Sequence, residues 1–208
     1  MAQHPVDQHR GGGFNPPVPT TKGGPDYGRF VDAVRALQDH AKAVDAPDDV
    51  ITCAAGLIED VTKLLAPYWS DEWSSPSGRR LDLPNRGNIL QVPAELTKSE
   101  DGRIRGTAEF RRFHLGRNGA VHGGSIAMLF DSLLGYTAAK LTRSPYQRTA
   151  YLHVNYRKIV PIEKELALDA CIERTDDRKI FVEGRILDGD TVLADGEALF
   201  VRLKPGQP

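Results

Sequence analysis

GAVHGGSIAMLFDSLLGYTAAKL, residues 119–141, is the only long helical pattern in the C-terminal half of the chain. The pattern begins at about Gly123 and ends near Leu141, and its apolar residues lie on almost every side of the helix. Because a helix that is apolar nearly all round is typically buried, we predict that this helix is buried in its domain.

Short strands are predicted on both sides of this helix in the sequence. The first two flank Asp101-Gly102, a dipeptide that favours the tight turn of a hairpin. The six predicted strands span residues 89–97, 103–110, 149–159, 165–174, 179–187 and 191–203. A lone helix among antiparallel strands packs on one face of their sheet, so the predicted fold class is α+β.

The N-terminal half divides into a tail and a helical extension. Residues 1–25 are rich in glycine and proline and nearly lack apolar side chains, so we predict a flexible tail. Apolar residues then recur at helical spacing in residues 30–44 and again in 51–65, which predicts two amphipathic helices. The predicted organisation is a tail at 1–25, a helical extension and loop at 26–87, and the main domain at 88–208.

The composition excludes several classes of function. The 208 residues include 27 basic and 28 acidic side chains, so no field of one sign is available to attract nucleic acid. No apolar run approaches the roughly 20 residues of a membrane-spanning helix, so we predict no membrane span. The N-terminal residues resemble neither a secretory signal nor a transit peptide, which predicts a cytoplasmic location.

Two cysteines, Cys53 and Cys171, are too few for a disulfide framework or a zinc set, and we expect both to be buried.

Asp131, the only acidic residue of the long helix, has apolar neighbours. The residues three and four positions away are Ala127, Met128, Leu134 and Gly135, so we expect the carboxylate to be buried. Burying an ionised carboxylate is costly unless hydrogen bonds compensate it. Two interpretations follow: a structural carboxylate held by a neighbouring donor, or a general base in an apolar slot.

The start of the helix, His122-Gly123-Gly124, is unusual because each glycine destabilises a helix by about 1 kcal/mol relative to alanine. Glycine is favoured where another group approaches the backbone closely. A helix N-terminus also presents unpaired N–H groups and a partial positive charge, which suit a developing oxyanion. The motif is interpreted either as a simple tight turn or as an oxyanion site that works with Asp131.

Three motifs in one order carry a resemblance to a known family. They are Gly116-x-x-Gly119-x-x-His122-Gly123-Gly124, then Asp131 nine positions after the histidine, and then Thr149-Ala150-x-Leu152-x-x-Asn155-Tyr156. This arrangement resembles the hotdog-fold acyl-CoA thioesterases of the phenylacetate-pathway type, and most of all the members that act on long-chain acyl-CoA. The resemblance covers residues 88–203 and implies a long central helix wrapped by an antiparallel sheet, with subunits joined edge to edge.

The resemblance also implies catalytic roles. The Gly123 amide would polarise the thioester carbonyl, and His122 beside it would orient the substrate. Asp131 would act as general base or nucleophile, and the Thr149 hydroxyl would position the water or the carboxylate. Many of these enzymes carry Asn where this chain has Gly116, whereas the long-chain members share the glycine. The resemblance therefore implies no side-chain role at this position and allows a somewhat altered oxyanion site.

The predicted substrate-binding residues are Gly124, Asn155, Arg157 and Lys158. Arg157 and Lys158 directly follow the last motif and could contact the phosphates of CoA as point charges. The alternative is that both cations are simply solvated at the end of a strand.

No metal or redox cofactor is predicted. His114 and His153 lie in strand-like segments, and no short spacing unites them with His122 as metal ligands. The predicted function is hydrolysis of acyl-CoA thioesters, and the alternative is a hotdog module that binds acyl-CoA without turnover. A hotdog hydratase would need His-Pro-x-His after the acid, and the sequence has none.

Helix geometry predicts a site that is shared between two subunits. Gly124 and Asp131 are seven residues apart, which is about 10 Å along a helix that rises 1.5 Å per residue. A single thioester cannot contact both, but two antiparallel helices across a two-fold axis would bring the opposite ends together. We therefore expect a homodimer or a dimer of dimers with shared active sites.

Overall fold

The computed structural model describes residues 18–71 and 74–207. Within them, residues 18–89 form one compact unit, and the chain from Leu90 onward forms a second. Residues 1–17, which make up most of the predicted tail, lie outside the described residues.

The N-terminal unit contains the two helices predicted from apolar spacing, α1 (Tyr27–Ala43) and α2 (Asp48–Leu65). A short 3₁₀ turn that contains Pro67 follows α2 and ends it. Unlike α1, which buries Val31, α2 contributes no buried residue. Cys53 on α2 is therefore exposed, and the prediction that it is buried is wrong.

Residues 18–25 are bound to the rest of the N-terminal unit through a buried arginine, Arg80. The Arg80 guanidinium donates hydrogen bonds to the backbone oxygens of Lys22 (3.1 Å) and Gly24 (3.0 Å). It also forms a two-point ion pair with Asp82, at 2.8 and 2.7 Å. This part of the glycine-rich and proline-rich segment therefore has fixed backbone partners, which its composition did not indicate.

The C-terminal unit is a six-stranded antiparallel sheet with one long helix, α3, which confirms the predicted α+β class. In chain order its elements are β1 (Ala94–Lys98), β2 (Ile104–Glu109), α3 (Gly123–Thr142), β3 (Gln147–Tyr156), β4 (Glu165–Asp176), β5 (Lys179–Asp188) and β6 (Thr191–Arg202). The spatial order of the strands is β1-β2-β4-β5-β6-β3, so β1 and β3 are the edge strands. None of the helices within residues 18–71 and 74–207 is long and apolar enough to cross a membrane.

One face of the sheet packs against α3 and forms the core. Side chains alternate along each strand, and the inward positions of β4, β5 and β6 are buried apolar residues or glycines. Gly184 and Gly196 are direct cross-strand partners at the centre of this face. A Cβ at these positions would lie 2.9 Å from Leu134 and 3.0 Å from Phe130, so the glycine pair lets α3 approach the sheet closely.

The opposite face of the sheet, called here the outer face, carries an ion cluster centred on Asp169. Arg103 on the preceding hairpin binds both carboxylate oxygens at 2.7 Å, and Arg185 of β5 binds one of them at 2.6 Å. The hydrogen bond from Arg103 lowers the pKa of Asp169, and the hydrogen bond from Arg185 acts in the same direction. Cys171, two positions further along β4, is half-buried rather than buried.

Candidate active site

The N-terminus of α3 is set by a tight hairpin that precedes it. Leu115 and Val121 form a β-bridge, and the Gly116 N–H donates to the Ala120 carbonyl at 2.8 Å. A Cβ at Gly116 would lie 3.0 Å from the His122 Cα, which is closer than side chains normally approach. A side chain at Gly116 would crowd the His122 backbone, so glycine leaves room for the hairpin to place His122 at the start of the helix.

His122 is the N-cap residue of α3. Its Nδ1 accepts a hydrogen bond from the Gly124 N–H at 3.0 Å. A Cβ at Gly124 would lie 3.1 Å from the same Nδ1 atom, a tight contact, so glycine at this position leaves room for the capping ring. Because its N–H is already bonded to His122, the Gly124 amide is not the one left open to a substrate.

The open amide belongs to Gly123. Among the described residues, no acceptor bonds to the Gly123 N–H, which is the first amide of α3. The partial positive charge of a helix N-terminus adds to the attraction of this N–H for a negatively charged oxygen. The predicted oxyanion donor is therefore available in the folded chain.

Tyr156 contacts the same glycine and was not assigned a role from the sequence. Its hydroxyl donates to the Gly123 carbonyl oxygen at 3.1 Å. Its ring packs beside the glycine, so a Cβ at Gly123 would be in van der Waals contact with it, 3.5 Å from the nearest ring carbons. The groups that approach the two glycines are thus the side chains of Tyr156 and His122.

Asp131 lies beside the edge strand β3 and is exposed, so the prediction of burial is wrong for the single chain. The core-facing side of α3 is formed by other residues, among them Phe130 and Leu134, and Asp131 lies at its margin. The Thr149 hydroxyl of β3 donates to Asp131 Oδ1 at 3.1 Å, so of the two partners that the resemblance implied, a water or the carboxylate, it contacts the carboxylate. Oδ2 has no partner among the described residues and is available to bind a water molecule.

The two halves of the candidate site lie at different points of α3. Gly123 and Asp131 are eight positions apart, which corresponds to about 12 Å along the helix axis. Within one chain, Asp131 and Thr149 therefore form one group, and His122, Gly123 and Tyr156 form the other.

Asn155 and Arg157 are not brought to either group. Both bind Asp195 of β6, Asn155 through its Nδ2 at 2.8 Å and Arg157 through Nε and Nη2. Asp195 precedes the inward-facing Gly196, so it lies on the outer face. The hydrogen bond from Arg157 lowers the pKa of Asp195. Lys158 is exposed, and its side chain has no ionic partner within the described ranges.

The three histidines considered as metal ligands have separate roles. His114 is buried, and its Nδ1 accepts the Arg111 N–H at 2.9 Å, whereas His153 lies on the outer face 3.6 Å from Glu197. Residues 18–71 and 74–207 contain no group of three or more His, Cys, Asp or Glu side chains that could hold a metal ion.

Comparisons with known proteins agree on one family. Residues 118–194 match the family model of the thioesterase superfamily. Acyl-coenzyme A thioesterase THEM4 of Mus musculus is 32% identical over 92 residues, which are 43% of this chain and 39% of that protein. THEM4 of Xenopus laevis is 34% identical over 92 residues, which are 43% of this chain and 40% of that protein. The chain spans about two fifths of the length of these curated relatives.

A solved structure extends the likeness beyond the matched family region. The crystal structure of a thioesterase superfamily protein superposes with a TM-score of 0.73 at 27% identity, covering 89% of this chain and 97% of that one. Its coverage is too large to be confined to residues 118–194. The C-terminal unit therefore has the hotdog fold, and residues 118–194 within it are similar to the thioesterase superfamily.

Proposed function

We propose that this protein hydrolyses acyl-CoA thioesters to a carboxylic acid and CoA, a reaction of fatty acid metabolism when the acyl group is a fatty acid. The observation that carries the proposal is the unpaired Gly123 N–H on the same helix as the Asp131–Thr149 pair. The relatives that match this region are acyl-coenzyme A thioesterases, which gives further support.

The proposed chemistry uses both groups. The Gly123 N–H binds the thioester carbonyl oxygen and stabilises the negative charge that develops there. Asp131 Oδ2 takes a proton from a water molecule while the water oxygen bonds to the carbonyl carbon. The carbon–sulfur bond then breaks, and CoA leaves as a thiolate that takes up a proton. Thr149 keeps Oδ1 occupied, so that Oδ2 is the oxygen that faces the water.

The site is completed by a second copy of the chain in this proposal. The edge strand β3 carries Thr149 near one end and Tyr156 at the other, and both side chains contact α3. Two β3 strands that pair antiparallel around a two-fold axis near their middle would set Thr149 opposite the partner's Tyr156. Asp131 would then lie beside the oxyanion site of the other copy, in a homodimer or a dimer of dimers.

CoA phosphates are proposed to bind at the end of β3. Lys158 is the preferred cation because it is exposed and is not part of an ion pair among the described residues. Arg157 is already paired with Asp195, so its contribution to phosphate binding is expected to be weaker.

The direct test is thiol release from a panel of acyl-CoA esters of increasing chain length, with equimolar carboxylic acid as the second product. A wild-type protein that releases thiol from at least one of them supports the proposal. Binding of a non-hydrolysable thioether analogue without thiol release from any ester would establish the alternative, an acyl-CoA-binding module. A protein that neither binds the analogue nor releases thiol from any ester would exclude both functions.

A further inference from the structure

Two consecutive glycines at the N-terminus of a helix need external support to hold one geometry. Glycine samples more backbone conformations than any other residue, and the first turn of a helix lacks half of its hydrogen bonds. Gly123 and Gly124 are each held by a side chain: Tyr156 covers the first and His122 caps the second. The geometry of the open Gly123 amide therefore depends on these two contacts.

The two contacts are joined through a single peptide group. The Tyr156 hydroxyl donates to the Gly123 carbonyl oxygen, and the N–H of the same peptide, on Gly124, donates to His122 Nδ1. Hydrogen bonds in such a chain polarise one another. An Nδ1 that accepts a hydrogen bond carries no proton, so the neutral His122 ring holds its proton on Nε2 and presents it as a donor.

We propose that Tyr156 is a positioning residue of the oxyanion site. Its hydroxyl fixes the Gly123–Gly124 peptide, and through that peptide it fixes both the open Gly123 N–H and the His122 tautomer. This inference rests on the proposed thioester hydrolysis for its catalytic consequence. The hydrogen-bond chain itself is a property of the folded protein and can be measured without substrate.

Tyr156→Phe is the decisive variant because it removes the hydroxyl and keeps the ring that covers Gly123. The loss of one neutral hydrogen bond predicts a fall in kcat of about three- to tenfold, with KM nearly unchanged. In ¹⁵N-labelled protein, the Gly124 amide resonance should move, and the two ring nitrogens of His122 should become less different as the tautomer is released. Tyr151→Phe is the matched control, because Tyr151 lies on the same strand and is exposed on the outer face.

The outcomes separate this inference from the proposed function. If wild type hydrolyses acyl-CoA and Tyr156→Phe matches it in kcat, the positioning role is overturned whether or not the resonances move. Unmoved Gly124 and His122 resonances overturn the hydrogen-bond chain even when kcat falls. A wild-type protein without hydrolytic activity overturns the proposed function, and the resonances then decide the hydrogen-bond chain alone.

Discussion

The two faces of β3 differ in what their polar side chains do. Towards α3, Thr149 bonds to Asp131 and Tyr156 bonds to Gly123, so both touch the helix that carries the candidate chemistry. On the outer face, Asn155 bonds to Asp195 within a surface of paired charges. All three belong to one sequence motif, so membership of the motif does not tell which face a residue occupies. The contacts place the candidate catalytic groups on the helix-facing side and paired charges on the outer side.

The largest expected effect comes from the helix-facing carboxylate. Asp131→Asn keeps the side-chain shape and an oxygen that accepts the Thr149 hydrogen bond, but it cannot take a proton from water. We expect kcat for thiol release to fall by about 10²–10⁴-fold with little change in KM. A folded variant that retains most of its kcat would show that Asp131 is structural and would remove the chemical difference between the two faces.

A second prediction tests whether the helix-facing groups of two chains act together. His122→Ala damages the glycine end of α3, Asp131→Asn damages the other end, and each variant alone should be nearly inactive. Unfolded together and refolded, random pairing gives about half heterodimers, each with one intact site of two, and hence about a quarter of wild-type activity. Thiol release and size analysis of the mixture measure this. Heterodimers as inactive as the parent proteins would show that the site is not shared.

A smaller effect is expected from the hydroxyl that holds the carboxylate. Thr149→Val removes the donor to Asp131 Oδ1 with almost no change in volume, and kcat should fall about tenfold, as for loss of one hydrogen bond to a charged group. Thr149→Ser restores a hydroxyl at the same position and should recover most of the activity. Equal kcat values for the Val and Ser variants would show that the hydrogen bond has no catalytic role.

The smallest effect on catalysis is expected on the outer face. Asp169→Asn leaves Arg103 and Arg185 without their shared carboxylate, and the free energy of unfolding should fall by about 1–3 kcal/mol with kcat unchanged. Because the folded-state pKa of Asp169 is lowered, its stabilisation is complete above the ordinary carboxyl value of about 4 and is lost as the pH falls through the lowered pKa.

Urea unfolding of wild type and Asp169→Asn at two pH values measures this difference. The stability gap between them should be full near neutral pH and should shrink in strong acid, where the wild-type carboxyl is also uncharged. A gap that does not change with pH would show that the loss is steric rather than ionic. A large loss of kcat would place chemistry on the outer face.

Much of the fold was predictable because it follows from local periodicity. The predicted helix from Gly123 to Leu141 ends within one residue of α3, and the hairpin turn occurs at Asp101-Gly102, where Gly102 has a positive φ of 78°. The resemblance implied that the Thr149 hydroxyl positions either a water or the carboxylate, and in the folded chain it donates to Asp131. The exposure of Asp131 was not predicted, because apolar neighbours three and four positions away show that a helix face is apolar but not whether the sheet covers it.

By itself, the sequence determined which segments are helix and strand and which residues are able to carry chemistry, because these follow from side-chain spacing and residue type. Only the tertiary structure decided which of those residues meet. Thr149 and Tyr156 are seven positions apart, so strict alternation would place them on opposite faces of β3. Between Thr149 and Tyr151, the register of β3 against β6 shifts because β3 holds one extra residue. As a result, Thr149 and Tyr156 both face α3, while Asn155 faces outward. The side-chain face depends on pairing with a neighbouring strand that is distant in sequence, and no local pattern records that pairing.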